Sequence, residues 1–182
     1  MPIGGVRCAE KVASVLQAVV GDAVEVGPGV SGLRVVHEEP LGGGPLVALC
    51  AGAKALYEVG CALPVLVLAC DLPLVTETVL RTIAEWPGSR SVVPIIDGHS
   101  QPLCARWSVE DLATAADLVG SGMRSMRSLL ELPGVVLVEE DEWPTEMDLQ
   151  AMSDVDTPAD LDRIGVTLDR ELPNPEGTAT GS

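Results

Sequence analysis

Residues 65–70 read Val-Leu-Val-Leu-Ala-Cys, apolar without a break, and the run ends in Asp71-Leu72-Pro73. A strand with one wet face alternates apolar and polar residues, whereas one that is apolar throughout is covered on both faces. A chain holding such a strand therefore needs a layer of structure on each side of its sheet. "SVVPII" (91–96) and "GVVLVEE" (134–140) have a similar character, and "AVEVG" (23–27) and "LRVVH" (33–37) are shorter Val-rich runs that also read as strands. "DGHSQ" (97–101) reads as a turn, after which "PLCARW" (102–107) pairs back as a strand.

Between these runs the apolar residues recur at helical spacing. "CAEKVASVLQAVV" (8–20) stops at Gly21. A loop, 38–44, leads into "PLVALCAGAKALYEV" (45–59), whose Pro45 falls in the first turn, where proline fits. "TETVLRTIAEW" (76–86) has Thr76 as a cap, and "SVEDLATAADLV" (108–119) pairs Ser108 with Asp111, close to a capping box. "SMRSLLEL" (125–132) is a short helix, and "DTPADLDRIG" (156–165) is another, capped by Asp156. Strands alternating with helices predict an α/β fold of three layers, a mainly parallel sheet with helices on both faces. Residues 1–167 read as one domain and 168–182, polar with two prolines, as a disordered tail.

Charge excludes one class of partner. With 27 Asp and Glu against 11 Lys and Arg, the net charge is −16, and a phosphate-backbone binder needs a basic face. Aromatic residues for base stacking are scarce: three Trp, one Tyr and no Phe. The five cysteines form no CxxC pair, which argues against a disulfide framework or a zinc site. No apolar run reaches the ~18 residues of a membrane span, and "MPIGGVRCAEK" has no apolar signal region, so the chain reads as cytoplasmic.

Asp71 is the candidate for chemistry. Ligands of open α/β sheets bind outside the carboxyl ends of the strands, and Asp71 stands at such an end, with Pro73 stopping the strand. A carboxylate there suits Mg²⁺, which takes one or two protein carboxylates plus substrate phosphates. The alternative is a cap for the helix starting near Thr76, and spacing alone leaves both open. A receiver domain also carries an Asp at a strand end, but it needs an acidic pair after its first strand; here that strand is followed by "GPGVSG".

Four segments in order, "EPLGGGPLVALCAGAKAL" (39–56), "VLVLACDLPLV" (65–75), "DGHSQPLCARW" (97–107) and "DVDTPADL" (154–161), resemble the molybdenum cofactor guanylyltransferase (MobA-like) branch of the nucleotidyltransferases. The resemblance implies a three-layer Rossmann-like nucleotidyltransferase fold and transfer of GMP from GTP to molybdopterin phosphate, with Mg²⁺ and release of pyrophosphate. It implies Asp71 as the catalytic Mg²⁺ ligand, Gly42, Gly43, Gly44, Pro45 and Leu46 along the nucleotide, and Gln101 and Pro102 near the pterin. Simple turns are the competing reading for both stretches. The resemblance also implies Asp154 as a residue near the metal. Asp154 and Asp156 stand where many members have Asn, and Asp156 reads as a helix cap. A nucleotide and a molybdopterin-type molecule are the implied ligands, with molybdoenzyme maturation proteins as possible contacts.

One departure matters. The family opens with a strand and a loop of the form LAGGxSxRMGxDK that cradles the triphosphate, and these 182 residues do not contain it. "IGGVRCAEK" (3–11) matches better the segment after that loop. Either translation starts upstream, or the chain is a truncation that lacks a central strand and leaves a sheet edge unpaired. The chain as given is then expected to show little or no transferase activity. The competing functions are a catalytically degenerate binding or partner protein, and a relative using CTP or a sugar-phosphate acceptor.

Overall fold

The computed structural model describes residues 2–3, 6–144 and 147–152; Asp154, Asp156, the helix expected over 156–165 and the tail lie outside them. The described chain runs β1 (Pro2–Ile3), β2 (Val6–Arg7), α1 (Cys8–Gln17), β3 (Val24–Val26), β4 (Arg34–Val36), α2 (Pro45–Glu58), β5 (Val65–Leu68), α3 (Glu77–Ala84) and β6 (Ser91–Ile96). It continues with β7 (His99–Ser100), β8 (Cys104–Trp107), α4 (Val109–Gly120), α5 (Arg127–Leu130), β9 (Val135–Val138) and two 3-10 turns.

β5, β8, β6 and β9 lie side by side, and β7 is the short return of a hairpin from β6. β8 is antiparallel to both β5 and β6, while β9 is parallel to β6, so β5, β6 and β9 all point one way. β8 alone among these four runs backwards. It follows β6 through a short hairpin link, and a parallel return would need a crossover of a dozen residues or more. β3 and β4 form a separate parallel ladder, and β1 and β2 a small antiparallel one.

The sheet separates two cores, and side chains alternate between them as the pleat demands. Val92, Ile96, Cys104 and Val138 face α1 and α3, with Val12, Val79, Leu80 and Ile83. Val65, Val93, Ala105 and Trp107 face α2, α4 and α5, with Leu46, Leu56, Leu112 and Leu129. This is the three-layer α/β arrangement expected from the unbroken apolar strands.

Among the described residues β5 is paired on one edge, with β8, and β3 on one edge, with β4. α2 packs against β3 as well as the main sheet, and Gly52 makes that possible: a Cβ there would come within 3.0 Å of Val26 Cγ2. A glycine inside a helix costs about 1 kcal/mol relative to alanine, which this close approach explains.

Two polar devices tie the layers. Arg106 lies on the α3 side of β8, 5% exposed, and donates to the carbonyls of Ala84, Trp86, Gly88 and Arg90 at 2.8–2.9 Å. On the opposite face Ser108 caps α4, its Oγ accepting from Asp111 N at 3.1 Å. The reciprocal half of a capping box is absent: the Asp111 carboxylate accepts from the Ser91 and Ser108 hydroxyls, and Ser108 N donates to Ser91 Oγ instead. The network ties the first residue of β6 to the start of α4.

In the β3–β4 connection, the Glu25 carboxylate accepts from the backbone N–H of Gly29, Val30 and Ser31 and from the Ser31 hydroxyl. Burial alone would push this acid up, but the hydrogen bonds from Ser31, Val30 and Gly29 outweigh it and hold it down to about 2. An acid lowered in the folded state stabilises above its unfolded value and loses that contribution as pH falls through the folded one. Glu25→Gln should therefore melt a few degrees below the parent at neutral pH. The gap should close between about pH 5 and pH 2, the span between ordinary and lowered carboxyl values; a gap constant in thermal melts down to pH 2 would refute this role.

Candidate functional site

The carboxyl ends of β5, β6 and β9 lie on one rim of the sheet, because these three strands point the same way. The chain continues there into Asp71, Asp97 and Glu139 respectively. α4 leaves from the opposite rim, at the end of β8, and its far end returns to this one. The following segment meets the start of α2: Leu46 N donates to Arg124 O at 3.2 Å. The rim thus gathers the Gly42–Leu46 turn, Asp71, the β6–β8 connection and the segment around Arg124.

Asp71 is exposed, and its carboxylate has no hydrogen-bond or ion-pair partner among the described residues. The cap of α3 is Thr76, whose Oγ1 accepts from Val79 N at 3.3 Å. The helix-cap reading of Asp71 is thereby removed, and the carboxylate is left facing solvent. Cys70 stands beside it, exposed, and Cys8 at the start of α1 is close to both. Burial pushes the Cys8 thiol up from its ordinary value, and the nearby Cys70 and Asp71 add to the shift.

The glycine turn is packed rather than loose. Gly44 is the residue before α2, with φ +96°, and a Cβ there would lie 3.1 Å from Arg124 O. Both the dihedral and the space call for glycine. Pro45 opens the helix, as expected. An open α2 N-terminus that would attract an anion is only partly realised. Leu46 N is taken by Arg124 O, Gly43 N by Pro40 O and Gly42 N by Glu38 Oε1. Beside the turn lies an open cavity of about 560 Å³ lined by His37, Glu38, Glu39, Pro40 and Leu41.

Gln101 and Pro102 sit in the link between β7 and β8, both half-buried. Gln101 N donates to Pro94 O at 2.8 Å, and Pro102 O accepts from Trp107 Nε1 at 3.1 Å. They hold the hairpin, and they stand on the same rim as Asp71. Arg124 was not legible as part of this region. Its carbonyl closes on Gly44 through tertiary packing, and its guanidinium donates to the carbonyls of Val119 and Met123 at the end of α4.

Among the described residues no three His, Cys, Asp or Glu side chains form a group that could hold a metal. One unpartnered carboxylate still suits Mg²⁺, whose remaining ligands are substrate phosphates and water. Among the described residues no helix is long and apolar enough to cross a membrane.

Residues 1–140 match the MobA-like NTP transferase domain. A protein of Pelotomaculum thermopropionicum named "Probable molybdenum cofactor guanylyltransferase" is 30% identical over 173 residues, spanning 88% of this chain and 80% of that protein. A protein of the same name from Mycobacterium avium is 31% identical over 129 residues, 66% of this chain, and the match spans 64% of its length. A crystal structure of molybdopterin-guanine dinucleotide biosynthesis protein A from Archaeoglobus fulgidus superposes with a TM-score of 0.58 at 23% identity, covering 72% of this chain and 66% of that one. A protein from Aquifex aeolicus gives a TM-score of 0.65 at 20% identity, covering 82% and 79%. At these identities the two structures establish the likeness of fold.

Proposed function

Because this chain belongs to the MobA-like NTP transferase family, we propose that its carboxyl-end rim binds a magnesium complex of GTP for transfer of GMP to the phosphate of a molybdopterin-type acceptor. The observation that carries the reading is Asp71, an exposed carboxylate without a hydrogen-bond or ion-pair partner among the described residues, at the end of the apolar strand β5. In this reaction an acceptor phosphate oxygen attacks the α-phosphorus, the bond to the β-phosphate oxygen breaks, and pyrophosphate leaves. The acceptor is the nucleophile, so the protein supplies position and charge rather than a covalent intermediate.

Asp71 would hold Mg²⁺, which when bound would supply charge neutralisation at the phosphates. The Gly42–Leu46 turn would lie along the nucleotide, next to the cavity at His37–Leu41, where Glu38 and Glu39 offer carboxylates to a base with N–H donors. Gln101 and Pro102, on the same rim, would face the acceptor. Asp154, outside the described residues, is the proposed second carboxylate near the metal.

A second reading, a nucleotide-binding or partner protein without turnover, draws on the Arg124 guanidinium, which is already committed to carbonyls at the end of α4. Thermal unfolding with GTP, CTP and ATP, each with and without Mg²⁺, tests both, since a ligand that binds only the native state raises Tm. A shift specific to GTP with Mg²⁺ supports the site. Added pyrophosphate release in the presence of acceptor supports transfer, and its absence the second reading. No shift with any nucleotide would overturn the assignment of the rim.

A further inference from the structure

The rim carries the exposed carboxylates of Asp71, Asp97 and Glu139, yet its proposed ligand is itself an anion. A metal on Asp71 offsets part of that charge, and a phosphate chain bound among like charges calls for a cation from the protein as well. Most cations among the described side chains are already engaged. Arg34, Arg81, Arg90, Arg106 and Arg124 donate to backbone carbonyls, while Arg127 faces Glu131 and Lys54 faces Glu58. Lys11 is exposed and has no hydrogen-bond or ion-pair partner among the described residues.

The hydrogen bonds fix where Lys11 stands. Arg34, the first residue of β4, donates to Ala55 O near the end of α2 at 3.0 Å. α2 starts at the rim, so β4 starts away from it and points toward it, and β3, parallel to β4, does the same. Residues 18–23 carry the end of α1 to the start of β3, so α1 ends away from the rim and begins at it. A second contact gives the same direction. α3 also leaves from the rim, and Arg81 in its second half donates to Ala18 O, just past the end of α1, at 2.7 Å. α1 and α3 pack side by side on one face of the sheet, and the loop that carries Asp71 leads into α3. Lys11 lies in the first turn of α1, and helical side chains lean toward the N-terminus, so its ammonium reaches toward the rim.

We propose that Lys11 binds the phosphates of the nucleotide that leave as pyrophosphate, alongside the metal ligand Asp71. The rim then selects ligands by the length of their phosphate chain. The proposal rests on the GTP reading for the identity of the base alone, because what Lys11 recognises is the phosphate chain. The test is isothermal titration of the whole chain, with Mg²⁺, against inorganic pyrophosphate, GTP and GMP, for the parent, Lys11→Gln, Lys11→Arg and Lys54→Gln.

Lys11→Gln should weaken pyrophosphate and GTP by about tenfold, the lower end for a hydrogen bond to a charged group, and leave GMP almost unchanged. Lys11→Arg should keep most of the affinity, Lys54→Gln all of it, and the unliganded melts should match the parent. No binding of pyrophosphate by the parent, full affinity in Lys11→Gln, or an equal loss for GMP would overturn the proposal. The two readings fail separately. Pyrophosphate held through Lys11, with no preference for GTP over CTP or ATP, would remove the guanine reading and leave Lys11 in place. GTP bound equally well by the parent and Lys11→Gln would do the reverse.

Discussion

Arg106→Leu is expected to lower stability by about 3 kcal/mol or more, since each buried acceptor left unsatisfied costs about 1–3 kcal/mol. The guanidinium donates to four carbonyls in the 84–90 connection, so the loss strands acceptors that no aliphatic side chain can serve. In a chain of this size each kcal/mol moves Tm by about 2–4 °C, so the melt should fall by roughly 10 °C. Arg106→Lys keeps the charge and the apolar stem but places one compact ammonium where a planar fork met four acceptors. It should recover less than half of the loss. A Tm within about 2 °C of the parent for the Leu variant, below the shift expected from 1 kcal/mol, would refute the clamp.

Asp71→Asn should leave the fold alone and remove the magnesium-dependent part of nucleotide binding. The carboxylate is exposed and unpartnered, and substitutions at such sites usually stay within about 0.5 kcal/mol. Any Mg²⁺-specific rise in Tm with GTP should vanish, while the unliganded melt is unchanged. In a form of the protein that turns over, the rate should fall by about 10²–10³-fold, the range for losing one preorganised electrostatic contact in a transition state. If Asp71→Asn retains the full magnesium-dependent shift with GTP, Asp71 is not the ligand and the rim needs another assignment. An unliganded melt that drops by several degrees would mean a structural role instead.

The sequence by itself determined the class of fold and the elements that carry the site. Unbroken apolar strands such as 65–68 demand a layer on each face, and the two cores on either side of the sheet meet that demand. Local chemistry was equally readable where it is local: Thr76 caps α3, Pro45 opens α2, and Ser108 caps α4. The hairpin that returns β8 antiparallel was visible in "DGHSQ", because a link that short admits no other return.

Only the tertiary structure decided which of those pieces meet. Spacing could not choose between cap and ligand for Asp71; the structure gave the cap to Thr76 and left the carboxylate free. The Asp111 carboxylate accepts from the Ser91 hydroxyl as well as from that of Ser108, and the Ser108 N–H goes to Ser91 Oγ rather than to Asp111. The closure of Arg124 on Gly44 and the reach of Arg106 across to the end of α3 both join residues far apart in the chain. Period and propensity describe neighbours along one element, whereas these contacts depend on how helices and strands are laid against one another. That information is held in the packing of the whole sheet rather than in any one segment.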